Sequence, residues 1–529
     1  MRRSGVAGAR RPKDRAQVAV SDVTGASVAP PSSLARDFVA LTRSSVLVRI
    51  GGFALSIINR RLLGPSAMGT WNYVDVMTTQ LSSVTLGVHY AADRLMPIAR
   101  ARGETDEERR LQSLTMSYLI VEGLALAAGY GVWLWARHRS YGAAVLIGLA
   151  LVPYLLLMNR VQTGYQVIVK NRKAFVVFAS LKVWLWVINA SMTLFILAGG
   201  VGGVYVGLLV TSTAVTVLHW WMVRRHRIFE FRWRVRLGEL KATLGFGVAM
   251  GVWGLLFSLL QRGDSLFISA TLGTTALGLY YLGPQLAATV AEIPTAVSVI
   301  SYPNLMEVLG RDGLAAVVPA AHRYTRLQVF AVLPLAVSLA YFSIEFLISY
   351  FLPAFRPGIE PVRISLLTVL FWQAGGIYGQ IVYATKRIVP LIAIAAASLA
   401  AVAAALYWQA RAGTPTLAGV AWTIVAGHSL YFVLVLTVSY WLVYGRLRDG
   451  VRERLPVLAA PLVAVALMRM ITTLTGPLNG ASWIADLAKG AGQETLFLVC
   501  GLALLWVGDR SMAARLISAP VAWWRGGPR

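Results

Sequence analysis

The chain has 529 residues, of which 57% are hydrophobic and only 14% charged, and its mean hydropathy is strongly positive. That composition excludes an ordinary soluble domain. A bilayer-crossing helix uses about 20 mainly apolar residues, so the sequence reads as an all-α polytopic membrane protein of about fourteen spans. The 49 basic residues outnumber the 23 acidic ones and give a net charge of +26. In a soluble chain this would suggest nucleic acid as a partner, but in a membrane chain it first reports orientation, and no nucleic-acid partner is read from it. The single cysteine, Cys500, excludes an intrachain disulfide and a cysteine-based metal site.

Taken in chain order, residues 1–37 are rich in Arg, Ser, Ala, Gly and Pro and lack the apolar stretch of a signal peptide, so they read as a disordered basic cytoplasmic tail. Six apolar runs follow, near 38–63, 70–97, 112–135, 142–163, 175–198 and 201–223, and form a first six-helix bundle over 38–223. A basic cytoplasmic linker occupies 224–242. Six further runs, near 243–265, 278–302, 327–351, 361–385, 388–408 and 417–443, form a second bundle over 243–443. An extra helix pair, with runs at 456–475 and 493–508, fills 444–508, and 509–529 is a second basic tail.

With the N-terminus inside, the loops and tails on the cytoplasmic side collect 34 of the 49 basic residues, among them Arg100, Arg110, Lys170, Arg224, Arg225 and Arg326. The opposite loops hold 6: Arg137, Arg139, Arg262, Arg356, Arg411 and Lys489. One topology, with both termini cytoplasmic, therefore satisfies the positive-inside rule along the whole chain. An internal repeat supports the division into halves. Leu63-Gly64-Pro65-Ser66-Ala67-Met68-Gly69-Thr70-Trp71 follows the first span, and Leu272-Gly273-Thr274-Thr275-Ala276-Leu277-Gly278-Leu279-Tyr280 follows the seventh. Met96-Pro97 and Tyr302-Pro303 then close the second and eighth spans. Motifs six spans apart give the halves the same orientation, related by a pseudo-twofold axis along the membrane normal.

No phosphate-loop motif, no HExxH and no clustered histidines occur, so no cofactor and no metal site are expected. The informative residues are charges inside spans, because an Arg at the bilayer centre costs about 2.5 to 3.5 kcal/mol. Arg49 and Arg60 lie eleven helical steps apart, about 20° from eclipsed and about 16 Å in rise, so they stand on one face of the first span. Arg43, Lys182 and Arg262 join them as candidate walls of a cationic cavity, since guanidinium and ammonium groups suit phosphate oxygens. Snorkelling to the interface accounts for Arg94, Arg160, Arg363 and Arg469. Glu122, Glu292, Asp264 and Asp75 are the candidates for coupling-ion or gating roles, Asp75 also being placed to pair with Arg60 or Arg61 across a short turn. Pro284 and Pro294, with Gly283, mark the eighth span as a bending point.

Arg60-Arg61-Leu62-Leu63-Gly64-Pro65 with Gly69, Gly263-Asp264-Ser265 through Gly278-Leu279-Tyr280-Tyr281, and Tyr302-Pro303 together resemble the polysaccharide-biosynthesis flippases, the Wzx-type branch of the multidrug/oligosaccharidyl-lipid/polysaccharide (MOP) exporter superfamily. The resemblance covers residues 38 to 443, and the extra span pair is similar to that of many members. It implies two pseudo-symmetric six-helix bundles of MOP/MATE-like form around a cationic lumen. The implied substrate is a polyprenyl-diphosphate-linked oligosaccharide, a precursor of surface polysaccharide such as the O-antigen of lipopolysaccharide. It would cross the bacterial inner membrane by alternating access, driven by an ion gradient or the membrane potential. Membrane lipids and the polysaccharide polymerase and export machinery are the implied partners. Arg49 and Arg60 match the basic face of the first span in such proteins, and Asp264 an acidic position near the end of the seventh. Two other readings stand beside this one: a small-molecule or drug exporter on the same fold, and an integral-membrane glycan polymerase or ligase.

Overall fold

The computed structural model describes residues 31–508 apart from 102, 172–174, 235–236, 313, 385–386, 445–450 and 479–481. The tail positions 1–30 and 509–529 lie outside the described residues. The described residues form sixteen α-helices and no strand. Among the described residues, eight helical stretches are long and apolar enough to cross a membrane.

The first half comprises α1 (Pro31–Ser83), α2 (Val88–Ala101), α3 (Thr105–Arg137), α4 (Ala143–Ala150), α5 (Val152–Asn171), α6 (Phe175–Ala190) and α7 (Met192–Arg225). Helix α1 starts at Pro31, inside the segment expected to be an irregular tail, and covers the first expected span and the first part of the second. It folds back at Gly64, whose φ of 71° is a conformation that glycine alone adopts cheaply. Pro65 follows at the start of the next helical segment, where its missing N–H leaves no bond unmade. Gly200 turns α7 in the same way, with φ 55°, between the fifth and sixth expected spans. The run expected over 70–97 is interrupted at 84–87, where Gly87 takes φ 72°.

The second half comprises α8 (Leu237–Thr271), α9 (Thr274–Asp312), α10 (Leu314–Leu327), α11 (Leu333–Phe351), α12 (Ile359–Ala384), α13 (Val389–Arg411) and α14 (Leu417–Tyr444). A π-bulge at Gln328–Val332 joins α10 to α11. Helix α9 runs unbroken from Thr274 to Asp312. Its Gly283 makes room for a neighbour: a Cβ there would fall less than 3.0 Å from the Ser365 side chain of α12.

The extra pair, α15 (Val451–Thr475) and α16 (Trp483–Gly508), packs on the second half, and α16 at 26 residues is longer than its apolar run suggested. Ser338 of α11 donates to Glu494 over 2.7 Å, Tyr350 donates to Asp486 over 2.8 Å, and the Phe342 and Phe497 rings lie 6.2 Å apart.

Three of the charges expected to snorkel are paired with carboxylates, and two of them, Arg160 and Arg363, are buried. Arg363, 4% exposed, binds Glu345 at 2.7 Å, and Glu345 also accepts the Leu478 amide at 3.0 Å, tying the loop after α15 to the second half. Arg469 of α15 pairs with Glu360 of α12. Arg160 of α5, 3% exposed, lies 3.8 Å from Glu122 of α3. Its Nη2 donates to the Val84 carbonyl at 2.6 Å, while Glu122 Oε1 accepts the Leu86 amide at 3.0 Å. The pair thus takes up backbone groups that the break at 84–87 frees from the helix, as buried polar groups require. Partners so far away in sequence explain why snorkelling was the expectation. Arg94 lies among residues whose side chains are outside the description.

The two halves meet along glycine contacts. At the end remote from the 226–234 linker, the repeated motifs face each other reciprocally. A Cβ on Gly69 would fall less than 3.0 Å from the Thr274 carbonyl oxygen, and one on Gly278 less than 3.0 Å from the Pro65 carbonyl oxygen. Gly69 and Gly278 are equivalent positions of the repeat, as are Pro65 and Thr274. The contact therefore obeys the pseudo-twofold symmetry residue by residue. Nearer the linker, Gly87 meets the Gly247 backbone and Gly251 the Thr85 carbonyl with the same closeness. Between these points Ser258 of α8 accepts from Ser83 at 2.9 Å and donates to Gln80 at 3.1 Å.

Candidate functional site

Between the halves lies a cavity of about 510 Å³, bounded by Val48, Gly52 and Phe53 of α1, by Lys182, Trp186 and Asn189 of α6, by Arg262 of α8, and by Tyr281, Pro284, Gln285, Ala288 and Glu292 of α9. Two smaller spaces continue from it. One, of about 260 Å³, reaches toward the glycine seam past Ser56, Asn59, Arg60, Trp71 and Asn72. The other, of about 290 Å³, enters the first half among α1, α5, α6 and α7. Asp75 and Asn189 line all three, so they mark the junction.

The polar contacts at this junction cross from one half to the other. The Tyr281 hydroxyl donates to Asp75 at 2.6 Å, and Arg262 approaches the same hydroxyl at 3.5 Å. Ser56 donates to Gln285 at 3.3 Å and accepts from Arg60 Nη1. Asp75 was expected to pair with Arg60 or Arg61; its bond is instead to Tyr281, 206 residues away, on a helix that only the tertiary fold brings near.

Arg60 is 0% exposed. Its Nε and Nη2 have no hydrogen-bond partner, and no carboxylate lies within ion-pair distance of it among the described residues. A buried guanidinium in that state costs several kcal/mol relative to water unless something compensates. Ser56 and the seam cover it in this arrangement of the halves.

Of the other predicted site residues, Lys182 and Arg262 both line the central cavity, Lys182 with its ammonium 5.3 Å from the Phe178 ring centroid. Arg262, assigned from sequence to an outer loop, lies within α8. Arg43 and Arg49 sit on α1, but their side chains lie outside the described residues. Glu292 and Asp75 are in the cavity wall, whereas Glu122 is in the Arg160 pair away from it. Asp264 lines a further space of about 70 Å³ in the second half, with Gln261, Ser365, Thr368 and His428, which shares Arg262, Pro284 and Ala288 with the central cavity. There it accepts from the Tyr280 hydroxyl, and from the Ser265 amide at 2.6 Å. The residues that sequence reasoning missed are neutral: Asn189, Gln285, Tyr281, Trp186 and Trp71. Asn189 and Gln285 were visible as lone amides within apolar runs, a weaker signal than a buried charge but of the same kind.

Solved structures of transporters share this arrangement of two bundles around a central cavity. The lipid II flippase MurJ in an inward closed conformation matches with a TM-score of 0.61 and 10% identity, over 88% of this chain and 99% of that one. A mutant of the Vibrio cholerae MATE transporter VcmN gives 0.55 and 14%, over 78% and 98%. A MOP superfamily transporter from Pyrococcus furiosus, described as having a binding pocket of reversed polarity, gives 0.53 and 15%, over 78% and 95%. The fold is that of the MOP transporters. Within that class, the sequence model of a family described as polysaccharide biosynthesis protein matches residues 111–353, which bears out the resemblance drawn from the sequence. No curated protein matches the chain.

Proposed function

We propose that this protein is a flippase that carries a polyprenyl-diphosphate-linked oligosaccharide across the bacterial inner membrane by alternating access. The observation that carries the reading is the cavity between the halves, which brings Lys182 and Arg262 together and has the uncompensated Arg60 in its wall toward the seam. Guanidinium and ammonium groups in a low-dielectric space favour a diphosphate, which accepts several charge-assisted hydrogen bonds at once. The sugar headgroup crosses in the cavity while the polyprenyl chain stays in lipid. Arg60, covered while the seam is closed, becomes reachable when the halves part. Arg43 and Arg49 remain candidates from the sequence alone, and an ion gradient or the membrane potential supplies the driving force. Of the acids, Glu292 and Asp75 in the central wall, and Asp264 in the small space beside it, remain the coupling candidates; Glu122 is committed to Arg160. The polymerase and export machinery would take up the flipped product.

The test is transport in proteoliposomes loaded with a fluorescent polyprenyl-diphosphate saccharide. The wild type moves the lipid between leaflets, and Lys182→Ala with Arg60→Met does not. Equal leaflet exchange with and without protein refutes the reading, as does a deletion strain whose lipid-linked precursor keeps its normal sidedness. A cationic-drug exporter is the second reading, favoured by the carboxylates Asp75 and Glu292 in the same wall. It predicts drug efflux that survives Lys182→Ala and fails with Glu292→Gln.

A further inference from the structure

The space of about 290 Å³ inside the first half differs in chemistry from the cavity it joins. Asp75 is the only charged residue in its lining. The rest is apolar or neutral and polar, with Trp71, Thr78, Asn159, Gln162 and Ser212 carrying the polar and aromatic character. The described core of the first half falls into three clusters around it, apart from Met68 and Val76, which join the continuous core of the second half.

Two of these side chains spend their donors on the protein. The Thr78 hydroxyl donates to the Val74 carbonyl at 2.8 Å, and Gln162 Nε2 donates to the Ser212 carbonyl at 3.3 Å and to the Thr216 hydroxyl at 3.0 Å. Toward the space they leave acceptors, the Gln162 Oε1 and the Thr78 hydroxyl lone pairs, beside the Asp75 carboxylate. A phosphate finds no cation in this lining and is repelled by the carboxylate. A sugar hydroxyl brings a donor to each of these oxygens and can accept in turn from the Asn189 amide at the junction. Trp71 supplies a broad aromatic surface beside them, suited to the C–H face of a pyranose.

We infer that this branch is a subsite for uncharged sugar hydroxyls, holding part of the glycan while the cations of the central cavity hold the diphosphate. The inference rests on the flippase reading above and adds to it a division of the site: charge between the halves, hydroxyls inside the first half. Asn159 and Gln162 are its specificity-determining residues, because both line this branch and neither lines the central cavity. Asn159 makes only a 3.4 Å contact, to Ser82, so its replacement disturbs little else.

The experiment measures binding of two probes to the full-length protein in lipid nanodiscs: polyprenyl diphosphate with no sugar, and polyprenyl diphosphate bearing a neutral trisaccharide. The wild type binds the sugar-bearing lipid about tenfold more tightly, the scale of a few neutral hydrogen bonds. Asn159→Leu and Gln162→Leu each erase most of that increment and leave affinity for the sugar-free lipid unchanged. The subsite is overturned if the increment survives both substitutions, if both probes bind the wild type equally, or if the variants lose affinity for both probes in parallel. Failure of the wild type to bind the sugar-free lipid overturns the flippase reading itself, so the two failures are distinguishable.

Discussion

Replacement of Arg60 by methionine should move stability and transport in opposite directions. The guanidinium is 0% exposed and has one side-chain hydrogen bond, to Ser56, with two nitrogens unsatisfied. An arginine at membrane depth costs about 2.5 to 3.5 kcal/mol relative to an apolar residue, and one hydrogen bond from a charged donor returns about 1.5 to 3 kcal/mol. Methionine fills a similar length without the desolvation. The net change on Arg60→Met is thus between roughly 0.5 kcal/mol of loss and 2 kcal/mol of gain, in line with the replacement of other buried charges by apolar side chains. Transport loses a charge-assisted contact to the diphosphate, about 1.5 to 3 kcal/mol or 10- to 150-fold in affinity. Thermal unfolding in detergent and flipping in proteoliposomes, on the same preparation, give both numbers. A loss of about 3 to 5 kcal/mol in stability would mean that Arg60 compensates a buried charge as a structural partner does, and would refute the reasoning. So would undiminished transport.

Three other outcomes are expected. Glu122→Leu and Arg160→Met should each destabilise by about 3 kcal/mol or more, since each strands one member of a buried pair and the backbone groups at 84–87, whereas the double variant should recover part of the loss; thermal midpoints of the three variants decide it. Gly69→Val and Gly278→Val should weaken seam closure to the same extent, because each places a side chain against the other motif's carbonyl, and this is read by thiol labelling of a cysteine introduced at Ser56. Tyr281→Phe removes the 2.6 Å bond to Asp75 and should alter the exchange rate several-fold at unchanged diphosphate affinity, consistent with about 1 kcal/mol for the bond; Asp75→Ala in a double-mutant cycle should add nothing further.

The all-helical architecture was legible because hydropathy reports on depth, and depth is local in sequence. The glycine motif was legible for a related reason: Gly64 and Gly273 sit where the chain needs a positive φ, which few other residues tolerate. Charge pairing was not legible. Arg160, Arg363 and Arg469 read as snorkelling because their carboxylate partners Glu122, Glu345 and Glu360 lie on other helices, and a single sequence does not say which helices touch. The break at 84–87 was hidden likewise, since Leu86 and Val84 are satisfied by side chains of α3 and α5. In the site, the search for charges found Lys182, Arg262 and Arg60 but passed over Asn189 and Tyr281, although these neutral groups join the compartments and the halves.

The reciprocal packing of Gly69 on Thr274 and of Gly278 on Pro65 has the form of an isologous dimer interface, in which one patch meets its own copy. Here both copies are encoded in one chain. Such an interface is self-complementary before any divergence, so two identical halves already close it correctly. Afterwards the cavity walls are free to specialise, the first half enclosing the larger side space and the second bearing the extra helix pair. The seam keeps the memory of the duplication, and the asymmetry around it is where the two halves have diverged.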